Sequence, residues 1–446
     1  MAMVVKNNMS AIRTLSTLNG NNTQLQDSLS KVASGLKINS AKDDASGYAI
    51  SERMRVQIRS LDQANQNSQN ASSLMKNAEG AVERTVDILR TLKQKAIDAA
   101  SDTNTDDDRA TIQKELDQLI DQIDDNALIT FNGKYLLEGS RSQSGTEVAT
   151  HMTNGNLSTD TNMSTKLTEL SNRNGENLEI NSGDRVTVSF IKGGKTYVSV
   201  MTKVSSDATL TDIYTMLNQA ENGTSTASDA FAVSSTVSTN TLIGDSPSGK
   251  KIMTKDGKNA LTFVAKNKGL EGQISGLSIS VADAEGNVKK ATNTALDAFK
   301  TTIYAANTTA DGAVSFQVGA SANQAVKVGL MDMRSEALGL KGRDGTTIKI
   351  TTREAANAAI SAFDNALNKA LDQQTTIGAI SARLDYTASN LTTSSENVTA
   401  AESTIRDADM AKEMTNYTKN NVLLQAAQSM LAQANQNSSA VLSLLQ

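Results

Sequence analysis

The chain has 446 residues, a net charge of −5 at neutral pH, 3% aromatic residues and no cysteine. This length is enough for two to four domains, and the weak charge and few aromatic residues argue against a nucleic-acid-binding protein. The lack of cysteine excludes disulfides and thiolate chemistry. No run reaches about 18 apolar residues, and the N-terminus has no basic segment followed by a long apolar run, so we expect neither a membrane span nor a cleavable signal peptide.

The first predicted element is an amphipathic helix over residues 4–36. Its apolar side chains recur mostly three and four positions apart, which is the spacing of one helix face. Gly35 and the polar cluster at residues 39–44 break this pattern, so we expect a turn or joint there. The apolar row of the first helix contains Met9, Ile12, Leu15, Leu18, Leu25 and Leu29.

A seven-residue repeat runs from Met54 to Ala99 and predicts a helix about 70 Å long. Such a narrow apolar seam needs a second helix of similar length lying along it, because alone it cannot bury enough surface to be stable. Its larger apolar residues are Met54, Leu61, Met75, Val82 and Leu89.

Thr105 and Asp108 predict a capped start for the next helix, because their spacing suits an N-cap with an acidic residue in the first turn. The acidic run 102–108 also invites a calcium-loop interpretation. Asp107 stands where such a loop needs Gly, however, and Gln113 where it needs Glu. We therefore favour the capped helix.

Asn132-Gly133 lies between two apolar runs and predicts a β-hairpin, since both residues accept positive φ. From about residue 140 the composition changes to Ser, Thr, Asn and Gly. A second hairpin is predicted around Lys192-Gly-Gly-Lys195, followed by a short helix with Thr209 as its N-cap. This composition fits a solvated β domain or an O-glycosylated surface, and the sequence leaves both open. Further strands are predicted at 261–265, 277–281 and 315–318.

The partner of the long helix appears near the other end of the chain, where a second seven-residue spacing begins at Phe363. We therefore expect a chain folded back on itself, with its ends paired and its middle displaced outward. The last segment, Met410 to Gln446, predicts a further amphipathic helix whose natural mate is residues 4–36. The second seam contains Ile377, Leu384, Leu391, Val398 and Ile405, and the last helix carries Leu424, Leu431, Val441 and Leu444.

The predicted fold is thus mainly α with an inserted β-rich outer region. Paired N- and C-terminal long helices form coiled coils, a β-hairpin belongs to the helical domain, and the chain middle forms an α+β outer domain.

From the residue types present, we predict that the chain is not an enzyme and has neither a cofactor nor a metal site. His151 is the only histidine, and its polar context predicts a surface residue. Residues 244–250 match the first seven positions of a phosphate-binding loop, but Lys251 stands where Ser or Thr should hold magnesium. We expect a plain surface turn there.

Both ends of the sequence resemble the terminal signatures of bacterial flagellin. The runs are SLSKVASGLKINSAKDDASGYAISERMRVQIRSLDQANQN and STIRDADMAKEMTNYTKNNVLLQAAQSMLAQANQNSSAVLSLLQ. Residues 316–340 are similar to the strand segment by which flagellins return to their helical domain. LEINSGDRVTVSF followed by TLTDIYTMLN resembles a small insert module of flagellins and hook-associated proteins.

The resemblance implies a structural subunit of the extracellular flagellar filament, exported without a cleavable signal peptide and polymerising for motility. It implies an inner core domain of residues 1–42 with 406–446. Residues 43–165 with 312–405 would form a helical rod domain with a β-hairpin, and 166–311 an exposed variable β-rich domain. A hook-filament junction protein or a surface adhesin is the alternative.

The implied partners are other copies of the chain, an export chaperone at the C-terminal helix, the flagellar export apparatus, and hook-associated and cap proteins. Neither nucleic acid nor membrane insertion is expected. Flagellin-recognising Toll-like receptors of animals bind near residues 88–124. Thr91 stands where recognised members have a central arginine, with Arg90 one residue earlier, and Lys95 and Gln122 replace the assisting leucine and glutamate. We therefore expect weak recognition.

Overall fold

The computed structural model describes residues 8–222, 231 and 241–443. They divide into two compact units. The terminal unit is formed by the described residues within 1–69, 317–325 and 386–446, and the central unit by those within 70–316 and 326–385. The domain boundaries inferred from the sequence stay predictions.

Helices dominate both ends of the described chain, and strands its middle. The helices are α1 (Met9–Ser34), α2 (Ala45–Ala99), α3 (Asp106–Ala127), α4 (Leu210–Asn222), α5 (Lys290–Leu296), α6 (Ser335–Leu338), α7 (Arg353–Arg406) and α8 (Met410–Ser443). The first strands are β1 (Thr130–Phe131), β2 (Lys134–Tyr135), β3 (His151–Asn154), β4 (Arg185–Lys192), β5 (Lys195–Met201) and β6 (Leu242–Asp245). The others are β7 (Lys251–Met253), β8 (Leu261–Val264), β9 (Ile274–Ala282), β10 (Phe299–Ile303), β11 (Val314–Gln317) and β12 (Ala325–Val328).

The predicted joint between the first two helices is confirmed, and two aspartates build it. The Asp43 carboxylate accepts hydrogen bonds from the backbone N–H groups of Asn39 and Ser40. The bond from Ser40 is the main reason that the pKa of Asp43 is lowered. Asp44 accepts from the N–H groups of Ser46 and Gly47 and so satisfies free donors at the start of α2.

In the terminal unit, α2 and α7 run antiparallel. Leu61, Ala64 and Leu391 form an apolar cluster against which Val398 packs. Two polar contacts flank this cluster. The Asn65 side chain donates to Thr392 at 3.1 Å, and Ser395 donates to Asp62 at 2.8 Å. Arg55 Nε lies 3.2 Å from Glu402 Oε1.

In the central unit, the apolar seam positions of α2 and α7 are fully buried. Ser72 donates to Asp385 at 3.3 Å, and Lys93 pairs with Asp364 at 2.6 Å. The same number of residues separates these two contacts on both helices, which is the pattern of a regular antiparallel pair. The buried seam residues here are Met75, Val82, Leu89, Ile377 and Leu384.

The capped start of α3 is confirmed. The Thr105 hydroxyl accepts from the Asp108 N–H, and the Asp108 carboxylate accepts from the Thr105 N–H and hydroxyl. Hydrogen bonding to Thr105 lowers the pKa of Asp108. The acidic run therefore serves as a capping box, and the described residues contain no cluster of three or more side chains suited to a metal ion.

Both predicted hairpins are confirmed. Asn132 and Gly133 have φ of 50° and 72° between β1 and β2, and Gly193 and Gly194 have φ of 56° and 74° between β4 and β5. Positive φ at both turn residues matches the right-handed twist of paired strands. The predicted strands at 261–265, 277–281 and 315–318 correspond to β8, β9 and β11.

Two three-stranded antiparallel sheets form the middle of the central unit, with strand orders β5-β4-β9 and β10-β3-β8. Their core is mostly aliphatic and contains an aromatic cluster in which Phe263 contacts Phe231 and Phe299, at centroid distances of 5.9 and 5.1 Å. Phe190 lies 5.4 Å from Phe231. Tyr214 of α4 lies 6.3 Å from Phe263.

The surface position predicted for His151 is wrong, because β3 pairs with a strand on each side and half-buries the imidazole. Burial lowers the pKa of His151, and its Nδ1 lies 3.1 Å from the Ala149 carbonyl oxygen. The turn predicted at residues 244–250 is confirmed. It joins β6 to β7, so a strand follows where a phosphate-binding loop needs a helix.

Candidate self-association surface

The helices α1 and α8 lie against each other through a narrow stripe of small and polar residues. Ser28, Ala427 and Ala434 are buried there. Asn8 Nδ2 donates to the Ala434 carbonyl oxygen at 3.2 Å, and Asn21 Nδ2 donates to that of Leu423 at 3.3 Å. These small and polar contacts fix the register of the pair but bury little apolar area.

Four of the predicted polymerisation residues of α1 and α8 are half-buried. Within each helix they lie seven residues apart, as Ala427 and Ala434 of the stripe do. They are Leu18, Leu25, Leu424 and Leu431. Another four are exposed, namely Met9, Ile12, Leu15 and Leu29. The Val441 side chain and Leu444 lie outside the described residues. The predicted polymerisation residues within the described side chains thus form two groups, one half-buried and one exposed to solvent.

The structure shows exposed apolar side chains on α8 in addition to the predicted polymerisation residues. Met430 is 64% exposed, and Val422 is 60% exposed. Leu423 and Met430 each precede one of the predicted residues, Leu424 and Leu431, by one position, which is the sequence signal for these two. The added residues are Met410, Met414, Val422, Leu423 and Met430.

The same helices carry very little charge. Residues 420–446 contain no acidic or basic side chain, and neither do residues 14–26. Charged groups are depleted in the buried centres of protein interfaces, where their desolvation is costly. A helix pair with long uncharged segments and many exposed apolar side chains therefore has the composition of an interface rather than of a solvated surface.

The end of α7 anchors the helix pair within the terminal unit. The Arg406 guanidinium is nearly buried, lies 2.6 Å from Glu52 Oε1 and stacks 5.4 Å from the Tyr48 ring. The hydrogen bond from Arg406 lowers the pKa of Glu52. Backbone bonds from Lys37 N to Arg406 O and from Ala408 N to Gly35 O join the two chain segments.

Three outer positions of the predicted α2–α7 seam are half-buried. They are Met54, Val398 and Ile405, whereas Leu61 and Leu391 are buried. The seam side chains are thus less buried in the terminal unit than in the central unit, in which all five seam positions are fully buried.

The candidate immune-receptor residues lie on a solvated part of the central unit. Arg90 of α2 is exposed and pairs with Asp87 at 2.8 Å. Thr91 is half-buried and donates to the Asp87 carbonyl oxygen. Lys95 pairs with Glu115 of α3 at 2.7 Å, and Gln122 is exposed. Both cations are therefore already paired.

Among the described helices, none combines the length and apolar content that a bilayer crossing requires.

The family model of the bacterial flagellin N-terminal helical region matches residues 5–142, and that of the C-terminal helical region matches residues 360–445.

Full-length relatives and solved structures give further similarities. Flagellin from Clostridium tyrobutyricum is 33% identical, over 97% of this chain and 99% of its own length. Flagellin from Bacillus subtilis strain 168 is 30% identical, over 99% of this chain and 100% of its own length. A hook-associated protein of Legionella pneumophila gives a TM-score of 0.33 at 16% identity, over 78% of this chain and 97% of its own. From the family matches at both ends and the full-length relatives, the chain belongs to the bacterial flagellin family.

Proposed function

We propose that the exposed apolar residues of α1 and α8 are the surface through which subunits of the flagellar filament contact one another. As a flagellin, the chain is a structural subunit of that filament, and such a polymer needs a surface that becomes buried on assembly. The observation that carries the proposal is the apolar and uncharged face of α8, centred on Val422 and Met430.

The geometry favours contacts between copies over burial within one copy. The stripe between α1 and α8 is filled by Ser28, Ala427 and Ala434, and Met430 and Ile12 stay more than half exposed in the same helix pair, at 64% and 53%. A heterologous contact repeated with a rotation that does not close produces an open helical polymer. Each added copy would cover the apolar face of its neighbour.

Met430→Asp tests this surface. Because Met430 is 64% exposed in the single chain, the variant should fold normally, but a charge placed in an interface has to be desolvated. We expect the critical concentration for polymerisation to rise at least about tenfold, which corresponds to about 1.4 kcal/mol. Sedimentation of filaments over a concentration series measures this value.

Gln428→Asp is the matched control, because it adds the same charge at an exposed polar position of the same helix. A smaller effect of Gln428→Asp would assign the defect of Met430→Asp to the apolar row. Equal critical concentrations for Met430→Asp and the unmodified chain would contradict the proposal.

We also infer the layers of the filament and the remaining partners. Residues 1–42 with 406–446 would form the inner layer, 43–165 with 312–405 the helical layer, and 166–311 the exposed domain. An export chaperone that covers the apolar row of α8 would prevent premature polymerisation. The chain would reach the filament through the flagellar export apparatus without a cleavable signal peptide, meet hook-associated and cap proteins there, and have no catalytic role.

Weak recognition by flagellin-sensing Toll-like receptors is a further expectation. Arg90 and Lys95 are held by Asp87 and Glu115, so binding would have to compete with existing ion pairs, and Thr91 offers no charge. In a reporter-cell assay we expect Thr91→Arg to respond at lower protein concentration than the unmodified chain. Full activation by the unmodified chain at low concentration would overturn this expectation.

A further inference from the structure

A cleft of about 560 Å³ opens on the central unit, and none of its lining residues belongs to α1 or α8. Its volume falls within the range of roughly 300–1,000 Å³ that is typical of small-molecule sites. Three side chains of α7, Lys369, Gln373 and Thr376, line it together with Tyr304 and Met331. Spacings of four and three residues place the three α7 side chains on one face of the helix.

Lys369 is a buried cation without a carboxylate partner among the described residues. It is 5% exposed, its Nζ donates to the carbonyl oxygen of Ala337 at 2.6 Å, and it lies 5.6 Å from the Tyr304 ring centroid. The nearby Asp332 carboxylate is engaged by Arg334, which donates to both of its oxygens. The lysine ammonium therefore has donors to spare.

Gln373 adds a donor that lacks an acceptor among the described residues. This side chain is 1% exposed, and its Oε1 accepts from the Met331 N–H at 3.3 Å. That bond fixes which end of the amide is the NH₂ group. Gln373 Nε2 is buried and has no hydrogen-bond partner in the described structure. Leaving such a donor unpaired costs about 1–3 kcal/mol, so an acceptor is favoured here.

We propose that this cleft binds a small carboxylate, whose two oxygens accept hydrogen bonds from Lys369 Nζ and Gln373 Nε2. One negative charge matches Lys369, which has no carboxylate partner among the described residues. Two oxygens match the remaining donor capacity of Lys369 Nζ and the unpaired donor of Gln373 Nε2. A phosphate dianion fits less well, because Glu138 and Asp332 also line the cleft and would repel the second charge.

The charge of Lys369 at neutral pH is consistent with this site. Burial lowers the pKa of Lys369 to about 8, which still leaves most of the amine protonated at pH 7. The nearby Asp332 opposes this shift and helps to keep the ammonium charged.

Benzoate is a suitable probe, with benzamide as a neutral probe of the same shape. In titration calorimetry with the full chain we expect benzoate to bind with a Kd below about 10 mM, and benzamide to bind at least about tenfold more weakly. Lys369→Met removes the charge and should weaken benzoate binding by at least the same factor. Lys349→Met is the control, because Lys349 is exposed and does not line the cleft.

Gln373→Glu provides a second test that does not depend on Lys369→Met folding. A glutamate at this position would pair with Lys369 and occupy the site, so benzoate binding should be lost while near-ultraviolet circular dichroism stays unchanged. No saturable binding of benzoate up to 20 mM, equal binding of benzamide, or retention of benzoate affinity in Gln373→Glu would overturn the proposal.

Discussion

Removal of residues 410–446 is expected to abolish filament formation while leaving the central unit folded. The deletion removes the whole of α8, including the exposed row with Val422 and Met430, and it leaves Leu18 and Leu25 of α1 without their partner. The sheets and the buried seam of the central unit lie outside the deleted segment.

The remaining α1 should also lose helical structure in this truncated chain. It has 26 residues and contains Gly20 and several Asn and Ser residues, which are poor helix formers in the absence of packing. Its side-chain bonds from Asn8 and Asn21 end on α8 carbonyl oxygens and would be lost. We expect far-ultraviolet circular dichroism to fall by more than the contribution of α8 alone.

Seeded polymerisation distinguishes the loss of contacts between subunits from slow nucleation of filaments. Sonicated filaments of the unmodified chain are offered to the truncated chain, and elongation is followed by light scattering and electron microscopy. We expect no elongation, together with unchanged near-ultraviolet signals from the aromatic core around Phe263. Elongation of these seeds into normal filaments by the truncated chain would contradict the proposed role of α8.

Short-range signals were sufficient to predict most helices and both hairpins. Thr105 and Asp108 specify a helix start by local hydrogen bonding, and Asn132-Gly133 specifies a turn by its backbone preference. The seven-residue spacing predicted two long helices, because one buried face repeats along each of them. All of these signals lie within a few residues of the structure that they specify.

Apart from the pairing of the long helices at the two chain ends, features assembled from distant segments were not predicted. The strand β3 contains polar residues such as Thr153 and Asn154 and is stabilised by β8 and β10, which lie more than one hundred residues away in sequence. The cleft around Lys369 is likewise lined by residues from several separate segments. On the sequence alone, Lys369 and Gln373 look like ordinary polar positions of a long helix.

Gly276 is another position whose role depends on a distant segment, and Gly276→Val is expected to destabilise the central unit strongly. This glycine lies within β9, opposite Ile191 of β4. A Cβ atom added here would lie 2.8 Å from the Ala362 N and 2.9 Å from the Ala358 O of α7. Glycine in a strand interior often marks such a close backbone approach.

The cost arises because the obstacle is helix backbone, which cannot rotate away as a side chain can. α7 presents a face of small residues to this strand, with Ala358 and Ala362 fully buried. Asn365 Nδ2 also donates to the Ser275 carbonyl oxygen at 2.7 Å and holds β9 on the helix. We expect the free energy of unfolding to fall by about 3 kcal/mol, the upper end of the usual overpacking range.

Urea unfolding followed by near-ultraviolet circular dichroism measures this change. Gly155→Val is the matched control, since an added Cβ at Gly155 meets no atom within 4 Å, and its effect should stay within about 0.5 kcal/mol. Equal stability of the two variants would mean that β9 and α7 separate at little cost. The contact at Gly276 would then not anchor the sheet β5-β4-β9 to the helix, and the small-residue face of α7 would need another explanation.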